Sequence, residues 1–231
     1  MAGSPTRSIG RLLAGLMGVL LQVRRPRPIH TTGVLLEGRI TWRPETAARS
    51  GIAWIDERGP DTPPAVVARF SRGASLPAAL PDVLGLAVRF RTPRGPADLL
   101  LSTTGFGVPG RFVLAPRRTP GGAWFSTLMP YRGSDGPVQV AARSRTPSEL
   151  PAHLEDLRGA LEQEPWILEL LFATPAGRWH RFADLELRPA PGPIDRPEPR
   201  FDAVRNPPPG AGTYGWTRRL REPAYARARL G

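Results

Sequence analysis

The sequence contains no cysteine, no lysine and a single asparagine, Asn206. The first absence excludes disulfide bonds, thiolate nucleophiles and every cysteine-ligated metal centre. It also fits a reducing compartment, and a cytoplasmic location is the expectation. The second absence makes all 32 basic residues arginine, against 20 acidic residues, for a formal charge of +12. Nucleic-acid binders mix Arg with Lys and cluster both on a groove-facing element. Here the arginines are scattered among Pro, Ala and Gly, a usage like the codon bias of a GC-rich bacterial genome, so no nucleic-acid partner is expected. Weak attraction to anionic surfaces or ligands still follows from the charge. Histidine is scarce too: His30, His153 and His180 are too dispersed for a zinc cluster. No G-x-S-x-G elbow exists. Long apolar runs are missing as well. The ten residues 12–21 (LLAGLMGVLL) fall short of the roughly 20 a membrane span requires. Arg24-Arg25-Pro26 follows instead of a small-x-small cleavage site, so the run is read as a packed N-terminal helix over residues 8–23.

What remains fits one domain with trailing arms. From His30 onward, short alternating runs are split by Gly and Pro, the pattern of antiparallel strands. The expected strands are 33–42, 65–71, 85–91, 98–103, 111–115, 138–145, 167–174 and 179–188. No helix separates successive strands in most of this stretch, so eight of them predict a barrel rather than a doubly wound sheet. One helix interrupts the later strands: Ser148 is its expected N-cap, Leu150, Leu154, Leu157 and Leu161 form its stripe, and Pro165 stops it. Glu155, Asp156, Glu162 and Glu164 are read as its solvated face, not as paired catalytic carboxylates. Residues 189–212 are rich in Pro and Gly and read as a linker or wrapping arm, before a short final helix over 221–230. The expected organisation is a lead-in (1–29), a barrel domain (30–188) and an arm with its helix (189–231). The segment Gly105-Phe106-Gly107-Val108-Pro109-Gly110 matches G-x-G-x-x-G, but no helix is expected after it to receive a pyrophosphate. It is read as a barrel loop.

Several segments then resemble the haem catalases, in order and at compatible spacing. Arg27-Pro28-Ile29-His30-Thr31-Thr32-Gly33 resembles their R-x-x-H-x-x-G, and Ala68-Arg69-Phe70-Ser71 their A-R-F-S strand. Residues 81–90 (PDVLGLAVRF) are similar to D-P-R-G-F-A-V-K-F, and Asp98-Leu99-Leu100 stands where catalases have W-D-L. Near the end, Arg221 and Tyr225 keep an R-x-x-x-Y spacing, and the closing Arg-Leu-Gly echoes R-x-R-L-G. The chain looks like a short actinobacterial catalase-related protein. Some such relatives carry a phosphodiesterase label, for which no metal-ligand set is visible here.

The resemblance implies an α+β protein: a catalase-like antiparallel eight-stranded barrel with an N-terminal helix, one inserted helix and a short C-terminal helix. It implies haem b as cofactor. His30 would be the acid–base residue, oriented by Ser71, with Ser102 where catalases place a peroxide-holding Asn. Arg27 and Arg69 would pair with the haem propionates, since a planar, permanently charged fork suits carboxylates. Tyr225 would be the axial metal ligand, with Arg221 and Arg229 as electrostatic support. The implied function is peroxidase-like chemistry on hydrogen peroxide or an organic hydroperoxide. The alternative is a haem-free barrel that binds a small molecule or lipid, or serves as an interaction module. No membrane span is expected, and the oligomeric state is left open.

Overall fold

The computed structural model describes residues 33–43, 48–57, 64–74, 76–192 and 199–217. The expected helices over 8–23 and 221–230 lie outside these residues, as do Arg27, His30, Arg221, Tyr225 and Arg229. The described chain forms β1 (Gly33–Trp42), α1 (Ala53–Asp56), β2 (Ala65–Arg72), β3 (Leu84–Thr92), β4 (Gly95–Thr103), β5 (Trp124–Ser126), β6 (Tyr131–Arg132), β7 (Pro137–Thr146), α2 (Leu154–Gln163), β8 (Trp166–Ala173) and β9 (His180–Pro189).

All pairings are antiparallel, in the order β5-β4-β3-β2-β1-β9-β8-β7, and β5 also pairs with β7. That last pairing closes the ring into an eight-stranded barrel, and the two-residue β6 hangs on the edge of β7. Closure leaves no long unpaired edge to template aggregation.

Alternation along each strand sends one residue set inward. Val34, Leu36, Phe70, Leu86, Val88, Phe90, Leu99, Phe125, Val140, Trp166, Leu170 and Leu185 meet in one continuous core. Phe70 and Phe125 meet Trp166 edge-on, with ring centroids 5.6 and 5.9 Å away, and the Trp166 indole N–H donates to Ser144 Oγ at 2.8 Å. The short α1 adds Trp54, stacked on Phe90 at 4.8 Å and edge-on to Phe182 at 5.2 Å. Side chains fill the interior, as in other eight-stranded barrels. Any sizeable ligand must therefore bind on the outer wall or at a rim.

Two expected elements differ. Residues 111–115 form no strand: Gly110–Phe112 is a single 3-10 turn, and only Leu114 bridges back, to Thr104. Ser126 Oγ–H donates to the Arg111 carbonyl at 3.1 Å, spending an acceptor that a ladder would need. The eighth ring strand is instead β5, too short at three residues for alternation to reveal it. Likewise Ser148 is not the N-cap of α2. The helix starts at Leu154 after an extended His153, because residues 148–150 cross tightly over Gly121, where a Cβ would lie 2.3 Å from the Ser148 carbonyl oxygen. Leu150 is buried all the same, and Leu157 and Leu161 form the helix's buried stripe.

The Pro-rich segment after β9 is pinned to the barrel through Asp98. Arg89 and Asp98 face each other across β3 and β4, and the guanidinium grips both carboxylate oxygens at 2.7 Å. Asp98, fully buried, also accepts from the Asp202 backbone N–H (2.8 Å) and the Asn206 side-chain amide (2.9 Å). Its own N–H donates to the Asn206 carbonyl, and the Phe201 ring lies 5.2 Å from the Arg89 guanidinium. Farther on, the Pro209 carbonyl accepts from Trp54 N–H, and Gly212 exchanges backbone bonds with Arg132 on β6. No helix among the described residues is long and apolar enough to cross a membrane.

Candidate functional site

The outer wall carries a row of small residues through the strand register. Gly33 pairs with Ser71, Ser71 with Gly85, Gly85 with Ser102, Ser102 with Ser126, and Ser126 with Ala141. Their chain neighbours Val34, Phe70, Leu84, Leu86, Leu101, Phe125 and Ala142 belong to the inner core, so the row itself faces outward. Across six strands of the wall no side chain in this row extends past a hydroxyl. The result is a shallow trough.

Two glycines keep it shallow. A Cβ on Gly33 would lie 2.8 Å from the Arg69 guanidinium carbon, and one on Gly85 would lie 3.0 Å from Ser71 Oγ. Gly33 thus lets the Arg69 head lie flat beside the row. Arg69 and Ser71 project from the same face of β2, at 8% and 5% exposure. Leu35 and Ala87, the strand partners of Arg69, give it apolar flanks. A permanently charged fork sunk in such a wall suits a carboxylate-bearing ligand.

Of the residues nominated from sequence, the fold thus brings Arg69, Ser71 and Ser102 to one face. Ser71 and Ser102 are two ladder steps apart, about 10 Å. Ser102 is half-buried, and beside it the Ser126 hydroxyl donates to the Arg111 carbonyl while accepting from Leu128 N–H at 3.2 Å. The glycines, Ser126 and Ala141 of the row were missed from sequence. Their signal was the small residue recurring at the same end of successive strands, visible only once register is known.

Beyond the row, the arginines differ in what surrounds them. Hydrogen bonding to Asp98 holds the Arg89 guanidinium above its ordinary pKa, with burial opposing. Burial alone pulls Arg111 below its ordinary value; it lies 4.5 Å over the Trp179 ring and donates to the Thr174 carbonyl at 3.1 Å. Two of the chain's tyrosines are described. Tyr131 is packed in the core, and Tyr214 lies against Trp216 with its phenol pushed above its ordinary pKa by burial, partly offset by Arg132. Neither stands on a strand of the row. Among the described residues no group of three or more His, Asp or Glu is arranged to hold a metal ion. A separate open cleft of about 620 Å³ lies between α1 and residues 210–212, lined by Arg49 and Arg132 but also Asp56 and Glu57. It contains none of the nominated residues, and Asp56 is already occupied by Ser50 and Gly51.

For haem, the described wall fits as one side of a site. The floor is free of bulk where a Cβ would intrude, and the Arg69 guanidinium is buried at its edge.

No family model matches the chain, and no curated protein matches it either. Solved structures do. Catalase A from Saccharomyces cerevisiae superimposes with a TM-score of 0.65 at 14% identity, covering 92% of this chain and 63% of that one. A fungal catalase gives 0.62 at 16% identity, covering 95% and 62%, and a bacterial catalase 0.56 at 16%, covering 94% and 59%. The chain spans less than two thirds of each. At such identities the likeness shows the fold: an eight-stranded antiparallel barrel of the catalase-like kind.

Proposed function

We propose that the outer trough is one wall of a haem b site, and that the protein reduces hydrogen peroxide or an organic hydroperoxide. The observation that carries this reading is the outward row Gly33–Ser71–Gly85–Ser102–Ser126 with Arg69 buried beside it. Of these, Ser71, Ser102 and Arg69 are residues to which the resemblance gives a role in a haem pocket. His30 precedes Gly33 by three residues, so chain reach alone holds its Cα within about 11 Å of the head of the row.

When bound, haem supplies the iron at which the peroxide O–O bond is cleaved. In this reading His30 takes the proton from the bound peroxide oxygen and returns it to the departing one, work suited to a neutral imidazole. Ser71 accepts the imidazole N–H and so fixes its tautomer. Ser102 donates a hydrogen bond to the peroxide. Arg69 and Arg27 pair with carboxylates at the ligand's edge. Tyr225 would supply the oxygen that holds the iron, with Arg221 and Arg229 as its electrostatic support. Reduction of a hydroperoxide to alcohol and water consumes two electrons and two protons from an external reductant. A serine at position 102 offers a shorter, single-headed contact than an asparagine, which favours peroxidase over rapid dismutation. The cysteine-free composition accords with work in the cytoplasm.

The test is an absorption spectrum before and after incubation with hemin. A stoichiometric Soret band with a ferric tyrosinate signature, altered in Tyr225→Phe, is expected. His30→Ala should keep the band and lose peroxide turnover. If hemin leaves the spectrum flat, the reading fails, and the trough with Arg69 becomes a site for a smaller anionic ligand.

A further inference from the structure

The loop joining β4 to β5 holds apolar side chains out in water. Phe106 is 62% and Val108 56% exposed, more than any other large apolar residue among those described. Both stand at the tip of residues 105–110, and the tip is firmly held. Gly105 N–H donates to the Gly110 carbonyl at 3.1 Å, Arg111 N–H to Gly107 at 2.7 Å, and the Trp179 indole N–H to the Phe106 carbonyl at 2.7 Å. The Phe106 ring lies 5.7 Å from Trp124, which lies 5.9 Å from Trp179. A single exposed apolar residue is ordinary, but two on a braced tip backed by two tryptophans are the mark of an interaction surface.

The surrounding rim is cationic. Arg143 lies 5.4 Å from the Trp124 ring. Glu169 is shared by Arg181 (2.7 Å), Arg145 (3.6 Å) and Arg143 (4.0 Å), and Arg181 also pairs with Asp184, so Arg143 and Arg145 are left with the two longer contacts to Glu169. Arg178, beside Trp179, is exposed and has no ion-pair partner among the described residues.

We propose that this tip docks the protein on an anionic lipid surface, with Phe106 and Val108 entering the interfacial zone and Arg143, Arg145 and Arg178 meeting the headgroups. A tryptophan with a satisfied N–H and an apolar body, as Trp179 is, belongs at that depth, and basic residues add attraction to anionic lipid. Two other occupants fit less well. Single-stranded nucleic acid needs open aromatic faces, whereas these rings already touch one another and Val108 has no π face. A second copy placed across a two-fold axis would set this arginine rim against itself. The proposal is independent of haem binding.

Because the chain lacks cysteine, single labels are clean. Phe106→Cys and Val108→Cys, each carrying an environment-sensitive fluorophore, are compared with Leu80→Cys, at an exposed position in another loop. The full-length protein is mixed with phosphatidylcholine vesicles with or without phosphatidylglycerol. The expected result is a blue shift, and quenching by spin-labelled lipid, at 106 and 108 only, only with phosphatidylglycerol, and weakened by salt. The double substitution Phe106→Ser with Val108→Ser should lower vesicle partitioning at least about tenfold. Labels at 106 and 108 that stay aqueous overturn the proposal, even if the protein co-sediments with vesicles through another segment. So does a blue shift that appears without vesicles as protein concentration rises, which would identify a second copy as the occupant.

Discussion

Replacing Asp98 with Ala should loosen the arm and the barrel together. The carboxylate is fully buried and answers Arg89 through two 2.7 Å bonds, the Asp202 N–H and the Asn206 amide. Hydrogen bonds to a charged group contribute about 1.5–3 kcal/mol each, but those sharing one acceptor do not add. Breaking a buried ion pair costs about 3–5 kcal/mol, because a charge is left without its partner. The Arg89 side chain retains 24% exposure, so water relieves part of that penalty. The low end, about 3 kcal/mol, is therefore the expected loss. For a chain of this size it corresponds to a fall in Tm of about 6–12 °C. Limited proteolysis should show earlier cleavage within residues 199–212, because the hydrogen bonds that tie Asp202 and Asn206 to the barrel all converge on the carboxylate or backbone of Asp98. A double-mutant cycle with Arg89→Ala isolates the pair: the double variant should be about 2 kcal/mol more stable than the sum of the single losses predicts. A Tm within about 2 °C of wild type, or strict additivity, would refute the view that Asp98 clips the arm.

Other outcomes follow from individual residues. Gly85→Val fills the trough beside Ser71 with a residue that suits a strand, so hemin uptake should fall by more than tenfold, about 1.4 kcal/mol, while far-UV circular dichroism is unchanged. Gly38→Ala should do the reverse, damaging the barrel itself: its Cβ would lie 1.7 Å from the Glu186 carbonyl oxygen, forcing β1 from β9 at a cost of about 2–3 kcal/mol in denaturant unfolding. Tyr214 supplies a pH test. Its phenol pKa is raised on folding, so the native state holds the proton longer than the unfolded chain. The associated stability is complete below about pH 10 and is lost as pH rises through the folded-state value. Thermal melts above pH 10 should show this slope in the wild type and lose it in Tyr214→Phe.

The barrel was legible because its signal is local. Seven of the expected strands, from 33–42 to 179–188, rest on alternation long enough to count, and each formed within a few residues of its expected ends. The failures occur where local pattern is overruled. Residues 111–115 carry an apolar run like a strand's, yet they give only the 3-10 turn Gly110–Phe112 and a single bridge at Leu114, with the Arg111 carbonyl taken by Ser126. β5 and β6, at three and two residues, are defined by their partners, β4 and β7 for β5 and β7 for β6, and could not be seen without them. At the site, Arg69, Ser71 and Ser102 were reached by resemblance. Gly33, Gly85, Ser126 and Ala141 escaped because a small residue carries no chemistry to notice. The role of Asn206 was equally hidden, since its partner Asp98 lies 108 positions away in sequence.

The division of labour between the two faces of this wall explains why fold and site can be argued separately. Inward residues are large, apolar and mutually packed, and their identity is fixed by volume. Three groups of outward residues contrast with them. Arg39 on β1, Arg43 just past its end, and Arg181, Asp184 and Glu186 on β9 form an ion-pair ladder open to water, each pair contributing little to stability. Arg89 and Asp98 form a buried clip for the arm. The remaining stretch, from Gly33 to Ala141, has neither charge ladder nor bulk, although a strand normally favours larger side chains than glycine or serine. Six neighbouring strands that each forgo packing at the same level are explained by a ligand that needs the room. A folding requirement would have filled the same positions with valine or threonine.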